Sequence, residues 1–451
     1  MIQNILVAGG GTGGHLFPGI AVIEEIRRRN PALRVLFVGT RRGIESTVVP
    51  GLGYPIEFID VAPLKGRTPT QLLSSLSVLP TAAVRSGSIL RRFSPDVVIG
   101  VGGYASGPVL AAAAALGVPT AVLEQNAQTG FTNKLLGPFV GRAYVTFSET
   151  KSAFRPSNVR VVGNPVRRKF VDVARRGLSD PDGFEARCRG ILVVGGSQGA
   201  KVLNETVPQA IVQLLKSLRA KGESASIDTS IPIVHQTGAA MCEEVARTYS
   251  SLGLRAKVVP FIEDMAGAYA QSSVVVCRAG ASTVAELCAV GRPSVMIPFP
   301  FAADDHQMKN ALALERAGAS RCLAQGELTP AKLAEVLRPI VFDSSVQKRM
   351  AESARELGRP DAAATIVDDL HAWLFGLGGE QDEVQEALSE CLSDEDGANE
   401  SRRERVMHCF TSAVPGPSLR GQRPYVPGRR SPDVSFAPRS LVTRRPLVFL
   451  S

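Results

Sequence analysis

ILVAGGGTGGH at residues 5–15 and ILVVGGSQGA at residues 191–200 share one plan, an apolar strand that runs straight into a glycine loop. Further short apolar runs alternate with helical patterns after each: Val35–Val38, Val97–Val101, Thr120–Leu123 and Ala143–Thr146, then Ile233–His235, Lys257–Pro260, Val274–Cys277 and Ser294–Pro298. Continuous apolar strands between helices read as parallel sheets covered on both faces. The repeat therefore predicts an α/β chain of two Rossmann-like domains facing each other across a cleft. Between the two series, Arg167–Arg189 is a polar, charged separator with a Pro-Asp-Gly turn at 181–183.

The predicted domains are 1–166 and 167–345. A helical segment follows at 346–375, where Met350, Ala354, Leu357, Ile366, Leu370 and Leu374 share a face; it is expected to pack back on the N-terminal domain. Beyond it the pattern collapses. Glu380–Glu400 is acidic without a base and 402–451 is rich in Arg, Ser and Pro, so 376–451 reads as a disordered tail or an out-of-frame extension. The formal charge of the whole chain is +9, which raises nucleic acid, an anionic membrane face or phosphorylated substrates as partners. The tail nets −1, leaving +10 on residues 1–375, so the basic excess belongs to the folded body. Seven cysteines without C-x-x-C spacing disfavour a disulfide framework or a zinc site. MIQNILVA at 1–8 lacks a basic n-region and reads as a first strand. The longest apolar stretch, Val109–Leu123, is broken by Gly117 and Pro119, short of the ~20 residues a spanning helix needs.

Gly9-x-Gly11-x-x-Gly14 matches the dinucleotide fingerprint literally, but the next strand ends Val38-Gly39-Thr40-Arg41, without the acid that takes ribose hydroxyls. The second loop's partner, His235-Gln236-Thr237-Gly238, also lacks one, and no Walker motif occurs. These loops indicate phosphate or close backbone approach, not NAD. His15 closes the first loop at an expected helix N-terminus, either as a polar cap or as a base at the cleft. Arg278-Ala279-Gly280-Ala281-Ser282-Thr283 is a turn into a helix through Glu286. Its free N–H groups suit a diphosphate, and Glu286 suits a ribose diol; the alternative is a capping box, Thr283-x-x-Glu286. Asp180-Pro-Asp182 and Asp394-Glu-Asp396 have a metal-binding spacing but lie in the separator and the tail, so no metal or cofactor is expected.

With these residues placed, the chain resembles the MurG family, the undecaprenyldiphospho-muramoylpentapeptide β-N-acetylglucosaminyltransferases of peptidoglycan synthesis. The resemblance runs from about residue 3 to about 373. It rests on GGGTGGHLFPG (9–19), GVGGYASGP (100–108), LEQN (123–126), TNK (132–134), GNPVR (163–167), GGSQGA (195–200), PFIEDM (260–265), RAGASTVAEL (278–287) and DDHQMKNA (304–311). It implies a GT-B fold and an inverting, metal-independent transfer of GlcNAc from UDP-GlcNAc to the MurNAc 4-hydroxyl of lipid I, giving lipid II. It assigns Glu286 to the ribose, Arg167, Ser197 and Thr283 to the nucleotide and diphosphate, Ile262 to uracil, and Ala281 and Gln307 to the GlcNAc hydroxyls; the Ser282 hydroxyl, from the turn itself, lies beside them on the donor side. Thr12, Gly13, Gly14 and Asn126 line the same cleft from the N-terminal half, with Tyr104 and Asn133 on the acceptor side. His15 is the candidate base and Glu124 its competitor. Some members carry two adjacent glutamines where this chain has His306-Gln307, which leaves the role of His306 open.

Gln71–Phe93 carries Leu72, Leu73, Leu76, Leu79, Val84, Ile89 and Leu90 among Lys65, Arg67, Arg85, Arg91 and Arg92. It reads either as a helix packed on the core or, given an acceptor with a lipid tail, as a patch at 65–93 that docks on the anionic inner-membrane surface. The expected location is peripheral, on the cytoplasmic face of the plasma membrane, with other cell-wall synthesis proteins as further partners; no nucleic-acid motif occurs. Competing readings are another GT-B glycosyltransferase, a nucleotide-sugar epimerase, and a non-catalytic nucleotide-sugar-binding scaffold.

Overall fold

The apolar runs that end in glycine become the inner strands of two parallel sheets. The structure is a computed structural model that describes residues 1–61, 79–179, 190–196, 199–220, 231–302 and 305–376. The first sheet comprises β1 (Asn4–Gly9), β2 (Arg34–Gly39), β3 (Ile56–Phe58), β4 (Val97–Gly102), β5 (Thr120–Glu124), β6 (Arg142–Val145) and β7 (Val159–Val161), in the order β3-β2-β1-β4-β5-β6-β7. The second comprises β8 (Ile191–Val194), β9 (Ile233–Gln236), β10 (Lys257–Val259), β11 (Val274–Cys277), β12 (Ser294–Met296) and β13 (Ser320–Cys322), in the order β10-β9-β8-β11-β12-β13. Each sheet has an apolar core on either face, which is why its strands are apolar throughout rather than alternating. The strands β3, β7 and β13 do not stand out in the sequence because each carries a charged residue at its centre, Glu57, Arg160 and Arg321, which interrupts the apolar run. Two Rossmann-like domains are thus present, as the repeated strand and loop imply.

The helices that position the site are α1 (Gly13–Arg29), α2 (Glu45–Gly51), α3 (Leu79–Phe93), α4 (Phe131–Leu136), α5 (Arg168–Ser179), α6 (Ala281–Val290), α7 (His306–Arg316), α8 (Ser344–Leu357) and α9 (Ala362–Phe375). One of them corrects the reading of 167–189 as a polar separator. Its first part is α5, which buries Phe170, Val171 and Val173 in the core of the second domain, with Ala174 buried on the same helix. The apolar residues sit at helical spacing, so one stripe packs while the surrounding charges face water. Residues 180–189, including the Pro-Asp-Gly turn, lie outside the described residues.

The segment 346–375 divides its contacts, and its second half is the part that packs closely on the first helix of the N-terminal domain. Helix α8 packs on α6, whereas α9 packs on α1. There Asp369 accepts from the Tyr144 hydroxyl at 2.7 Å and from Arg142 Nε at 3.2 Å, and Arg142 stacks 5.2 Å from the Trp373 ring centroid. Gly141 makes room for that indole, since a Cβ would overlap it. In α3, Ile89 and Leu90 are buried in the first domain's core while Val84 is exposed. The described part of the segment therefore packs as an amphipathic helix, and Leu72, Leu73 and Leu76 lie outside the described residues, as does 377–451. No described helix is long and apolar enough to cross a membrane.

Candidate active site

In each sheet the glycine loop leaves the strand at which the order reverses, β1 beside β4 and β8 beside β11. Open parallel sheets bind ligands at the carboxyl ends of such strands.

On the first side, Thr12 is the extended N-cap of α1 and makes no side-chain cap bond. His15 is the third residue of that helix, with its Nδ1 3.3 Å from the Thr12 hydroxyl. Its ring lies against Gly102, whose φ is +96°; a Cβ there would stand 2.8 Å from His15 Cδ2, so only glycine fits. Enclosure lowers the His15 pKa below the ordinary imidazole value. The Gly10 carbonyl partly offsets this, His306 across the cleft adds to it, and the Glu45 carboxylate opposes it. The imidazole is therefore neutral near pH 7, the state a proton acceptor needs.

Glu124, the competing candidate, is buried at the end of β5 with its oxygens already engaged. Oε2 accepts from Gly130 N at 2.9 Å and Asn133 Nδ2 at 3.0 Å, and Oε1 accepts from Asn126 N at 3.2 Å. Burial raises its pKa, and these donors oppose the rise. Its geometry is that of an anchor for the loop 125–133. Asn133 belongs to the same anchor: it is buried and also donates to Leu123 O at 3.1 Å, so it braces the acceptor side rather than lining it. Tyr104, by contrast, is 52% exposed beside the β4 loop.

On the second side, α6 starts at Ala281 with Gly280 as N-cap and no side-chain cap bond. Thr283 is thus inside the helix, and the capping-box alternative for Thr283 and Glu286 does not form. Its role at a helix start would require Thr283 to precede the helix. The first N–H groups of α6 are left for an anion. Ser282 Oγ lies 3.4 Å from the Gly14 carbonyl, so the beginnings of α1 and α6 meet across the cleft. Glu286 is buried, which pushes its carboxyl up to about 7, opposed by Arg167 at 3.6 Å. Arg167 is held between the Phe17 and Phe170 rings, 4.5 and 5.2 Å from their centroids. Phe17 comes from α1 and Phe170 from α5, so this one guanidinium joins both domains to the Glu286 helix.

Gln307 accepts from Phe299 N at 3.0 Å through Oε1, leaving its amide N–H groups to donate. Lys309, from the same helix α7, bridges the domains to Gln128 at 2.7 Å. Ile262 is half-buried against the second core and Ala281 is buried at the helix start. Ser197 lies outside the described residues. Among the described residues no group of three His, Cys, Asp or Glu is placed to hold a metal ion.

The sequence reading missed two residues. Glu45, 34 positions after Gly11 in the chain, reaches back to the first glycine loop, where Oε2 accepts from Gly11 N at 2.7 Å. Asn164, inside GNPVR, is buried, and among the described residues neither of its amide atoms has a hydrogen-bond partner. The block flagged Asn164's neighbourhood, whereas nothing local marks Glu45.

Two parallel sheets with opposed glycine loops, a histidine on one wall and a buried carboxylate paired with an arginine on the other define a two-domain α/β protein of the kind that takes nucleotides in its cleft. The glycosyltransferase family 28 N-terminal domain matches residues 5–145, and the family 28 C-terminal domain matches 190–366. A Myxococcus xanthus protein named UDP-N-acetylglucosamine–N-acetylmuramyl-(pentapeptide) pyrophosphoryl-undecaprenol N-acetylglucosamine transferase is 45% identical over 383 residues, covering 84% of this chain and 96% of that protein. The crystal structure of Acinetobacter baumannii MurG superposes with a TM-score of 0.61 at 31% identity, covering 81% of this chain and 98% of that one. A UDP-GlcNAc 2-epimerase from Neisseria meningitidis reaches 0.56 at 15% identity, over 82% of this chain and 99% of that one, which shows the shared fold alone. The chain belongs to glycosyltransferase family 28, and within it to the MurG family whose motifs it carries.

Proposed function

We propose that this glycosyltransferase moves GlcNAc from UDP-GlcNAc to the 4-hydroxyl of the MurNAc unit of undecaprenyl-pyrophosphoryl-MurNAc-pentapeptide, lipid I, with inversion, giving lipid II. The observation that carries the reading is the meeting of the two helix starts at Ser282 and Gly14, with His15 on one wall and the Arg167–Glu286 pair on the other. Glu286 takes the ribose diol, and Arg167, Ser282, Thr283 and Ser197 meet the nucleotide and diphosphate. Ile262 contacts uracil through its backbone, while Ala281 and Gln307 face the sugar hydroxyls. Thr12, Gly13, Gly14 and Asn126 border the donor from the other side, and Tyr104 faces the acceptor.

The chemistry follows from this placement. The acceptor oxygen forms a bond to the anomeric carbon as the bond from that carbon to the β-phosphate oxygen breaks. His15 takes the hydroxyl proton and UDP leaves with the electron pair. Negative charge growing on the diphosphate meets the α6 N–H groups and Arg167, which stabilise it where water is excluded. His15 is favoured over Glu124 because the oxygens of Glu124 are occupied by the loop it anchors.

Full-length protein incubated with UDP-GlcNAc and a lipid I analogue, without added metal, should yield the disaccharide-linked lipid. Consumption of UDP-GlcNAc without acceptor would indicate epimerisation, and UDP-GlcNAc binding without turnover a scaffold; either result overturns the proposal.

The enzyme would work as a peripheral protein on the cytoplasmic face of the membrane, where both substrates are presented. The basic excess of 1–375 and the exposed Val84, Phe131, Leu135 and Phe139 support this. Binding to vesicles containing anionic lipid should weaken about tenfold or more when salt rises from about 0.1 to about 0.5 M. Leu72→Asp with Leu76→Asp should weaken it further. Binding that ignores salt in a flotation assay would remove the electrostatic part of the reading.

A further inference from the structure

Glu45 is 1% exposed and lies beneath the first glycine loop. Its Oε1 accepts from Thr40 N at 2.9 Å and from the Thr40 hydroxyl at 3.0 Å, while Oε2 accepts from Gly11 N at 2.7 Å. Gly10, Gly39 and Gly43 surround it, and a Cβ on any of them would overlap its side chain. Three glycines and three donors from two separate loops are thus arranged around one carboxylate. The loop N–H that a nucleotide phosphate would use in a dinucleotide fold is already taken by this internal anion. That accounts for a literal glycine fingerprint on the half of the protein that we assign to the acceptor.

We infer that Glu45 is a positioning residue for sugar transfer, fixing the first glycine loop and, through the Gly10 carbonyl and Thr12, the imidazole of His15. The inference rests on the reading of His15 as the group that takes the acceptor proton. Thr12 O accepts from His15 N at 3.2 Å, and Gly10 N donates to Gly102 O at 3.1 Å, under the ring. Displacement of Gly10 or Gly11 therefore moves both the loop and the surface on which the imidazole rests. The charged and titratable groups facing His15 are Glu45 from α2 and His306 from α7, with Gly10 and Thr12 contributing only dipoles. A Glu45→Gln change keeps the shape and can keep the Thr40 bonds on the amide oxygen, but it then turns the amide NH2 toward Gly11 N, so that hydrogen bond is lost and the contact becomes donor against donor.

The test compares full-length wild type, Glu45→Gln and Thr40→Val with UDP-GlcNAc and a lipid I analogue, alongside calorimetric UDP binding and thermal melting. For Glu45→Gln, kcat should fall about 100-fold, as expected when a catalytic group is displaced, with KM for UDP-GlcNAc within about twofold. The acidic limb of its kcat profile should move to lower pH, because the carboxylate that favours protonated His15 is gone. Unchanged kcat and an unmoved limb would overturn the inference, since a merely structural acid would alter melting alone. If Glu45→Gln melts out or loses UDP binding, Thr40→Val decides. It removes one donor, and kcat should fall about threefold to tenfold; unchanged kcat there overturns the inference equally. A wild type that binds UDP but transfers no sugar refutes the proposed function, which is distinguishable from a wild type that works and a Glu45→Gln enzyme that matches it.

Discussion

Replacing His15 with alanine should lower GlcNAc transfer by about 10²- to 10⁴-fold, the usual contribution of a positioned general base, while UDP-GlcNAc binding stays within about twofold. The split is expected because His15 stands on the wall opposite the Arg167–Glu286 pair that we assign to the donor, and the two walls meet where Ser282 reaches the Gly14 carbonyl. Burial lowers the His15 pKa, so the wild-type acidic limb should fall below the free imidazole value of about 6.5. Protonation at lower pH removes the base, and rate is lost as pH falls through that lowered value. Turnover measured under saturating donor, paired with calorimetric binding, checks both halves. Near-normal turnover in His15→Ala would transfer the role to another group, and Glu124→Gln in the same assay would identify or dismiss its competitor.

Glu286→Ala should act on the other half of the reaction, weakening UDP-GlcNAc binding about 10- to 100-fold through loss of charge-assisted hydrogen bonds to the ribose. The effect should appear mainly in KM, since the ribose is bound alike in the ground and transition states. Burial pushes the Glu286 carboxyl up to about 7, which gives the binding a pH dependence that an ordinary glutamate would lack. A raised carboxyl pKa means the accepting carboxylate is present above about pH 7 and is lost as pH falls through it. Donor affinity should therefore weaken about tenfold between pH 8 and pH 6 as the ionised fraction falls. UDP-GlcNAc has no phosphate monoester to titrate in that range, so the change belongs to the protein. In Glu286→Gln the slope should vanish. An unaltered slope in that variant would remove Glu286 from the ribose.

Much of the fold is legible along the chain because its signals are local. A β-branched run that ends in glycine needs neither partner nor distance to be recognised, and the pattern at 5–15 recurs at 191–200. Helix α5 was hidden for a converse reason. Its charges dominate composition, while Phe170, Val171, Val173 and Ala174 define a face only once their helical spacing is taken into account. The capping box at Thr283 and Glu286 shows the limit of a local motif. Its residue types and spacing are right, but the helix begins at Ala281, so the hydroxyl is on the wrong side of the start.

By itself the sequence determined the two parallel sheets, the two glycine loops and the residue types able to meet a diphosphate, a ribose and a proton. Local hydrophobic periodicity and backbone freedom decide those features. Only the tertiary structure decided which polar groups remain available. Glu124 and Asn133 are consumed in anchoring a loop, Glu45 is drawn under Gly11 by strand pairing, and Arg167 is clasped by phenylalanines from two helices. A buried polar group must find a partner or bear its desolvation cost, and the partner is set by which strands and helices fold together, often far apart in the chain.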